Sequence, residues 1–158
     1  MAIENIHFGK PERRLSWEEA HDAAQQLANK IRESGYIPDR LVGIAIGGLI
    51  PLALLAEELD IHDVTTISAK SYMGKSQGEV AVKTLPEGVK DKKILLVDEV
   101  AETGATLQKV SEALQAQGVK EMRTSTLAIN TATCTFKPDF YALGDDAWIV
   151  FPWEKDLE

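Results

Sequence analysis

The stretch KKILLVDEVAETGATLQKV, residues 92–110, decides how this chain is read. Ile94, Leu95, Leu96 and Val97 form a continuous apolar run, as expected of a strand buried on both faces. Asp98 and Glu99 close the run and Glu102 follows. Thr103, Gly104, Ala105 and Thr106 make a small, hydroxyl-bearing turn, after which Leu107, Val110 and Leu114 recur at helical spacing. The pattern predicts a strand over 94–97, a turn, and a helix over 105–117 that stops at Gly118.

These residue types in this order suit one kind of ligand. Adjacent strand residues face opposite sides, so Asp98 and Glu99 need not share a task. Carboxylates at a strand end accept hydrogen bonds from sugar hydroxyls and help hold a magnesium-bearing substrate. The first N–H groups of a helix lack intrahelical partners and carry a partial positive charge. A glycine-containing turn lets such groups converge on a phosphate. A diol site beside a monophosphate site fits a ribose 5-phosphate better than a triphosphate.

The flanking sequence supplies a frame for this unit. Ser16 with Glu19 forms a capping box ahead of Trp17, Ala20, Ala24, Leu27 and Ile31, which predicts a first helix ending near Gly35. Residues 1–14 read as an irregular N-terminal arm. Residues 41–46 read as a strand, Gly47-Gly48 as a tight turn and 49–59 as a helix that tolerates Pro51 in its first turn. Strands are expected over 64–69, 79–84 and 122–129, with further short ones at Tyr141 and over 148–151. The polar segment KSYMGKSQGE, residues 70–79, reads as a flexible loop. Strands alternating with helices give an α/β fold, a mostly parallel twisted sheet flanked by helices on both faces. Ligands of such sheets sit beyond the carboxyl ends of the strands, where both the Gly-Gly turn and the acidic turn fall.

Composition narrows the function classes. The 158 residues suit a single domain, and a net charge of −8 argues against a nucleic-acid partner. One cysteine, Cys134, excludes an internal disulfide and points to a reducing, cytoplasmic setting, with the thiol expected to be buried or incidental. No signal-peptide pattern is visible, and the longest apolar stretch, 41–56, is interrupted by glycines and a proline, so no membrane partner is expected. His7, His21 and His62 show no metal-ligand spacing, and no G-x-x-x-x-G-K-[ST] motif of a P-loop NTPase occurs.

ILLVDEVAETGATL resembles the phosphoribosyl-diphosphate (PRPP) binding motif of the type I phosphoribosyltransferases. GIAIGGLIP, residues 43–51, resembles that family's pyrophosphate loop, and KSY, residues 70–72, the start of its flexible hood. WIVFPWE, residues 148–154, resembles the purine-binding segment of small xanthine-guanine and archaeal-type purine phosphoribosyltransferases. The resemblance spans residues 15–154. It implies a type I phosphoribosyltransferase fold with a small C-terminal base-binding hood over 130–158, and purine salvage as the activity. PRPP and a purine base (guanine, xanthine or hypoxanthine) would be the substrates, and Mg2+ the cofactor. Self-association as a dimer or tetramer is expected from it as well. Asp98 and Glu99 would bind the ribose hydroxyls, with magnesium carried by PRPP nearby. Ala101, Thr103, Gly104, Ala105 and Thr106 would wrap the 5-phosphate, and Gly47 and Gly48 would receive pyrophosphate. Ser71 and Tyr72 would close over the site. Trp148 would stack on the base, with Ile149 offering backbone groups to its edge. Trp153 and Phe151 are expected in the core. Glu102 would exchange a proton with the purine.

Three positions depart from the family pattern. Ile46 stands where a basic residue commonly precedes Gly-Gly, so weaker PRPP affinity is expected. Glu102 replaces an aspartate and reaches one methylene further. Asn130 stands near the place of a lysine that contacts the purine 6-oxo group, and its amide can donate or accept. Lys137, further along, is expected to be a solvated surface residue. These departures keep open a second class, a non-catalytic relative that binds PRPP or a nucleotide and regulates another process.

Overall fold

A computed structural model of the chain describes residues 6–7, 9–71 and 80–155. Its strands are β1 Ile6–His7, β2 Lys10–Arg14, β3 Arg40–Ala45, β4 Val64–Ser71, β5 Val80–Thr84, β6 Lys93–Ala101, β7 Glu121–Asn130, β8 Phe140–Asp145 and β9 Trp148–Val150. The helices are α1 Trp17–Ser34, α2 Leu49–Leu59 and α3 Ala105–Gln115.

Six strands form one sheet in the order β5-β4-β3-β6-β7-β8. All neighbours in it are parallel except β4 and β5. The carboxyl ends of β3, β4, β6, β7 and β8 therefore share one edge, and the segments that follow Ala45, Ala101, Asn130 and Asp145 gather there. Alternate residues of the central strands feed two cores. Leu41 and Leu95 pack with Leu27 and Ile31 of α1 and Leu55 of α2. Val42, Ile44, Ile94 and Leu96 pack on the other face with Leu107, Val110 and Leu114 of α3. Burial on both faces is why these strands read as unbroken apolar runs. Each fully buried leucine contributes roughly 2 kcal/mol, enough that its loss would be felt throughout the sheet.

The capping box at α1 is present: the Glu19 N–H donates to Ser16 Oγ at 3.0 Å, and the Ser16 N–H donates to Glu19 Oε2 at 2.7 Å. Gly35, in the left-handed region at φ 79°, ends the helix. Ala20, Ala24, Leu27 and Ile31 are buried as the spacing implies, whereas Trp17 is 58 % exposed. As the first helical residue, Trp17 has no preceding turn to lie on; its ring meets Trp153 at 5.9 Å instead. Phe151 is buried and stacks on Trp153 at 4.8 Å, so both belong to the core packing expected of them.

Two expectations are corrected. The arm over 1–14 is not wholly irregular. Lys10–Arg14 is a strand that runs parallel to Trp148–Val150, and β1-β2-β9 make a small second sheet. Leu15 N–H continues the pairing to the Val150 carbonyl at 2.9 Å. The strand at 94–97 is also longer than its apolar run. It continues to Ala101 because β7 offers partners along its whole length, with Asp98 opposite Thr126 and Ala101 opposite Ile129. Among the described residues no helix is long and apolar enough to cross a membrane.

Candidate active site

The turn after β3 is built by its glycines. A cis peptide joins Ala45 to Ile46. The Gly48 N–H donates to the Ile44 carbonyl at 2.8 Å and the Leu49 N–H to the Ile46 carbonyl at 3.0 Å. A β-carbon at Gly48 would sit 2.7 Å from the carbonyl oxygens of both Ile44 and Val97, so only glycine lets the turn pass this close to β6. The Gly48 amide, expected to face pyrophosphate, is thus committed to the turn. Ile46 projects outward and is 83 % exposed.

Glu99 reaches this turn from β6. Its carboxylate occupies the space in which a β-carbon at Gly47 would fall. Glu99 Oε2 is buried without a hydrogen-bond partner among the described residues. Beside it, Asp98 is 8 % exposed and accepts the Glu99 N–H at 2.9 Å. Burial, and then the neighbouring Glu99 charge, push the Asp98 carboxyl well above the usual carboxylate range. Two acids held side by side with a buried oxygen unsatisfied form a site that favours a cation or hydroxyl donors. Among the described residues no group of three or more His, Cys, Asp and Glu side chains could hold a metal. A magnesium ion at this pair would need further ligands from a substrate.

The acidic turn leads into α3 through Gly104, which takes φ 87°. A side chain there would collide with the Phe136 carbonyl as well as adopt a strained backbone. The Ala105 N–H donates to Thr103 Oγ1 at 3.2 Å. The helix has no side-chain cap at Gly104 and no acid in its first turn, so its positive end is not neutralised locally. Ala101 is buried, Glu102, Ala105 and Thr106 are partly exposed, and Thr103 is exposed.

The structure gives Asn130 a different task from contact with a base. It is 1 % exposed, at the end of β7. Its Oδ1 accepts the N–H groups of Ala132 and Thr133 at 3.0 and 3.1 Å, and its Nδ2 donates to the Asp146 carbonyl at 3.4 Å. A buried amide is held to whatever pairs it, and here that is the turn following its own strand. Opposite, Asp145 takes the Ala147 N–H and the Arg13 guanidinium at 2.9 and 2.8 Å, which together hold its carboxyl below the usual range. Trp148 begins β9 just beyond and is partly exposed, while Ile149 turns its side chain into the core. Ser71 ends β4, and Tyr72 lies outside the described residues. Burial raises the Cys134 thiol pKa, and its Sγ donates to the Phe136 carbonyl oxygen at 3.3 Å. Lys137 is exposed.

The fold thus brings Gly47, Asp98 and Glu99 together, sets Glu102 and the start of α3 one turn away, and ties Asn130 to the approach to Trp148. Residues 131–136, expected only as the start of the base-binding segment, pack against the acidic turn. Three threonines in TATCTF, directly after Asn130, are the signal that marks them as a hydrogen-bonded turn.

The phosphoribosyl transferase domain pattern matches residues 15–158. The xanthine-guanine phosphoribosyltransferase of Nitratidesulfovibrio vulgaris strain Hildenborough is 33% identical over 147 residues, spanning 91% of this chain and 85% of its own length. The purine phosphoribosyltransferase from Pyrococcus horikoshii Ot3 superposes with a TM-score of 0.82 at 36% identity, covering 93% of this chain and 96% of that one. A Helicobacter pylori xanthine-guanine-hypoxanthine phosphoribosyltransferase gives 0.81 at 26% identity, covering 90% and 94%.

Proposed function

This chain belongs to the phosphoribosyltransferase family, and from that premise we propose that it moves ribose 5-phosphate from PRPP to guanine, xanthine or hypoxanthine, releasing pyrophosphate, as a purine-salvage enzyme. The observation that carries the reading is the acid pair of buried Asp98 and half-buried Glu99, whose Oε2 is enclosed, standing before the open positive end of α3.

In this reading the two carboxylates take the ribose diol, which also satisfies Glu99 Oε2. The first amides of α3, with the hydroxyls of Thr103 and Thr106, take the 5-phosphate. Glu102 exchanges a proton with the purine, for which position matters before pKa. Trp148 stacks on the base, and Asn130 supports the base side through the turn it holds rather than by touching the purine. Pyrophosphate leaves toward the turn 46–48, where Gly47 rather than Gly48 offers the amide. Magnesium carried by PRPP would neutralise the leaving pyrophosphate, and Asp98 and Glu99 would help to hold it. Ser71 and Tyr72 would help exclude water when the site closes. Little covalent chemistry is asked of the chain; positioning and charge stabilisation carry the rate. A cytoplasmic location and a homodimer or homotetramer complete the proposal.

The exposed, uncharged Ile46 in the pyrophosphate turn favours one other reading, a binding protein without turnover. One assay separates the two. The protein is incubated with PRPP and Mg2+ and each of guanine, xanthine, hypoxanthine and adenine, and nucleotide is measured. Nucleotide from a 6-oxopurine supports the enzyme. Binding of PRPP or GMP with no nucleotide from any base supports the binding protein instead.

A further inference from the structure

The turn over residues 130–136 grips the acidic turn by its backbone. We propose that Thr133 is a positioning residue for Glu102, acting through the Glu102 carbonyl, with Asn130 holding Thr133 in place. The proposal rests on the phosphoribosyl-transfer reading above.

The contacts form a chain. Thr133 Oγ1 donates to the Glu102 carbonyl at 2.8 Å. Thr133 itself is fixed from behind: its N–H and that of Ala132 are taken by the buried Asn130 Oδ1, and the Cys134 N–H closes the turn onto the Asn130 carbonyl at 3.0 Å. Asn130 is anchored at its other end by Asp146, two residues before Trp148. One hydrogen-bonded path therefore runs from the approach to the base-side strand to the peptide of the acid proposed to act on the base.

The neighbouring contacts separate positioning from mere docking. The next carbonyl, Thr103, accepts two backbone amides, from Thr135 at 2.9 Å and Phe136 at 3.2 Å, besides the Thr135 hydroxyl at 3.2 Å. Gly104 lies directly against the Phe136 carbonyl. These contacts keep the acidic turn docked when the Thr133 hydroxyl is removed. What is lost is a bond that holds the Glu102 carbonyl and so helps to set the plane of that peptide and the direction in which the carboxylate leaves the chain. The amides at the start of α3 lie beyond Thr103 and Gly104, on the docked side. Removing the hydroxyl should disturb proton transfer far more than phosphate binding, because among the amides assigned to the phosphate only the Thr103 N–H shares the released peptide.

The test compares Thr133→Val, Thr133→Ser and Thr135→Val with the unaltered protein, measuring kcat, KM for PRPP, GMP-binding stoichiometry and Tm. Thr133→Val should lower kcat about tenfold with KM for PRPP unchanged within about twofold, the size of effect expected from one lost hydrogen bond at a reacting group. Thr133→Ser, which keeps the hydroxyl, should recover most of kcat. Thr135→Val should behave like the unaltered protein, because two amides already serve its acceptor. Thr133→Ala provides a second hydroxyl-free variant should valine impair folding. The proposal is overturned if the hydroxyl-free variants keep full kcat, if serine does no better than valine, or if the loss in kcat equals the loss in GMP-binding sites. An unaltered protein that binds GMP but forms nucleotide from no base overturns the phosphoribosyl-transfer reading itself, and the positioning proposal with it.

Discussion

The carboxylate of Glu99 lies against Gly47, in the space a β-carbon at residue 47 would fill. Two motifs some fifty residues apart in sequence thus meet side by side, because β3 and β6 are parallel neighbours and end at the same edge of the sheet. Gly47 has no positive φ, so glycine is needed here for space and not for backbone freedom.

Gly47→Ala should therefore displace Glu99. The expected result is a fall in Tm of about 2–4 °C or more, the shift that ~1 kcal/mol gives a chain of this size, with a higher KM for PRPP. Glu99→Ala introduced alongside should restore the Tm without restoring PRPP use. A single variant as stable as the unaltered protein would mean that Glu99 moves aside freely.

Asp98 places function against stability. Its carboxyl is pushed above the usual range by burial and by Glu99. A group whose folded pKa is raised disfavours folding at neutral pH, and that penalty vanishes as the pH falls through the raised value toward the ordinary ~3.9. Asp98→Asn keeps an oxygen for the Glu99 N–H and removes the charge. Its Tm should exceed that of the unaltered protein by a few degrees at pH 7, the gain should fade in acid, and kcat/KM for PRPP should drop. Thermal melts across pH check the sign; a lower Tm at pH 7 would contradict it.

Ile46 is exposed in the turn assigned to pyrophosphate. Ile46→Lys should lower KM for PRPP several-fold with little effect on Tm, and the gain should shrink as salt rises, since it comes from an added charge. Steady-state kinetics at low and high salt measure this. An unchanged KM would move the pyrophosphate away from residue 46.

Glu102→Gln removes the proton acceptor and keeps the shape of the side chain. It should lower kcat about 10²-fold or more while GMP affinity changes far less, as expected for general acid–base catalysis. Equal turnover by both proteins would take Glu102 out of the chemistry.

The sheet was legible wherever burial on both faces left an unbroken apolar run, as at Leu41 and Ile94, or where local chemistry marks an end, as at Ser16 and Gly35. The acidic turn was legible because its residues are contiguous. What escaped depends on partners distant in sequence. Lys10–Arg14 is too charged to read as a strand and becomes one because Ile6–His7 pairs with its start and Trp148–Val150 with its end. Asp98 to Ala101 look like the end of a strand until β7 pairs with them. The amide of Asn130 has the right chemistry for a purine, but burial and the turn at 131–134 claim it first. The bond from Thr133 to Glu102 joins residues 31 apart and leaves no local pattern.

The central claim is that the first amides of α3 and the turn before them hold the 5-phosphate. Titrating the 15N-labelled protein with GMP and following every backbone amide tests it most directly. The expected result is that the largest shifts fall on residues 103–107, with Glu99 and Trp148 also responding. Saturable GMP binding that leaves those amides unmoved and shifts another surface would contradict it.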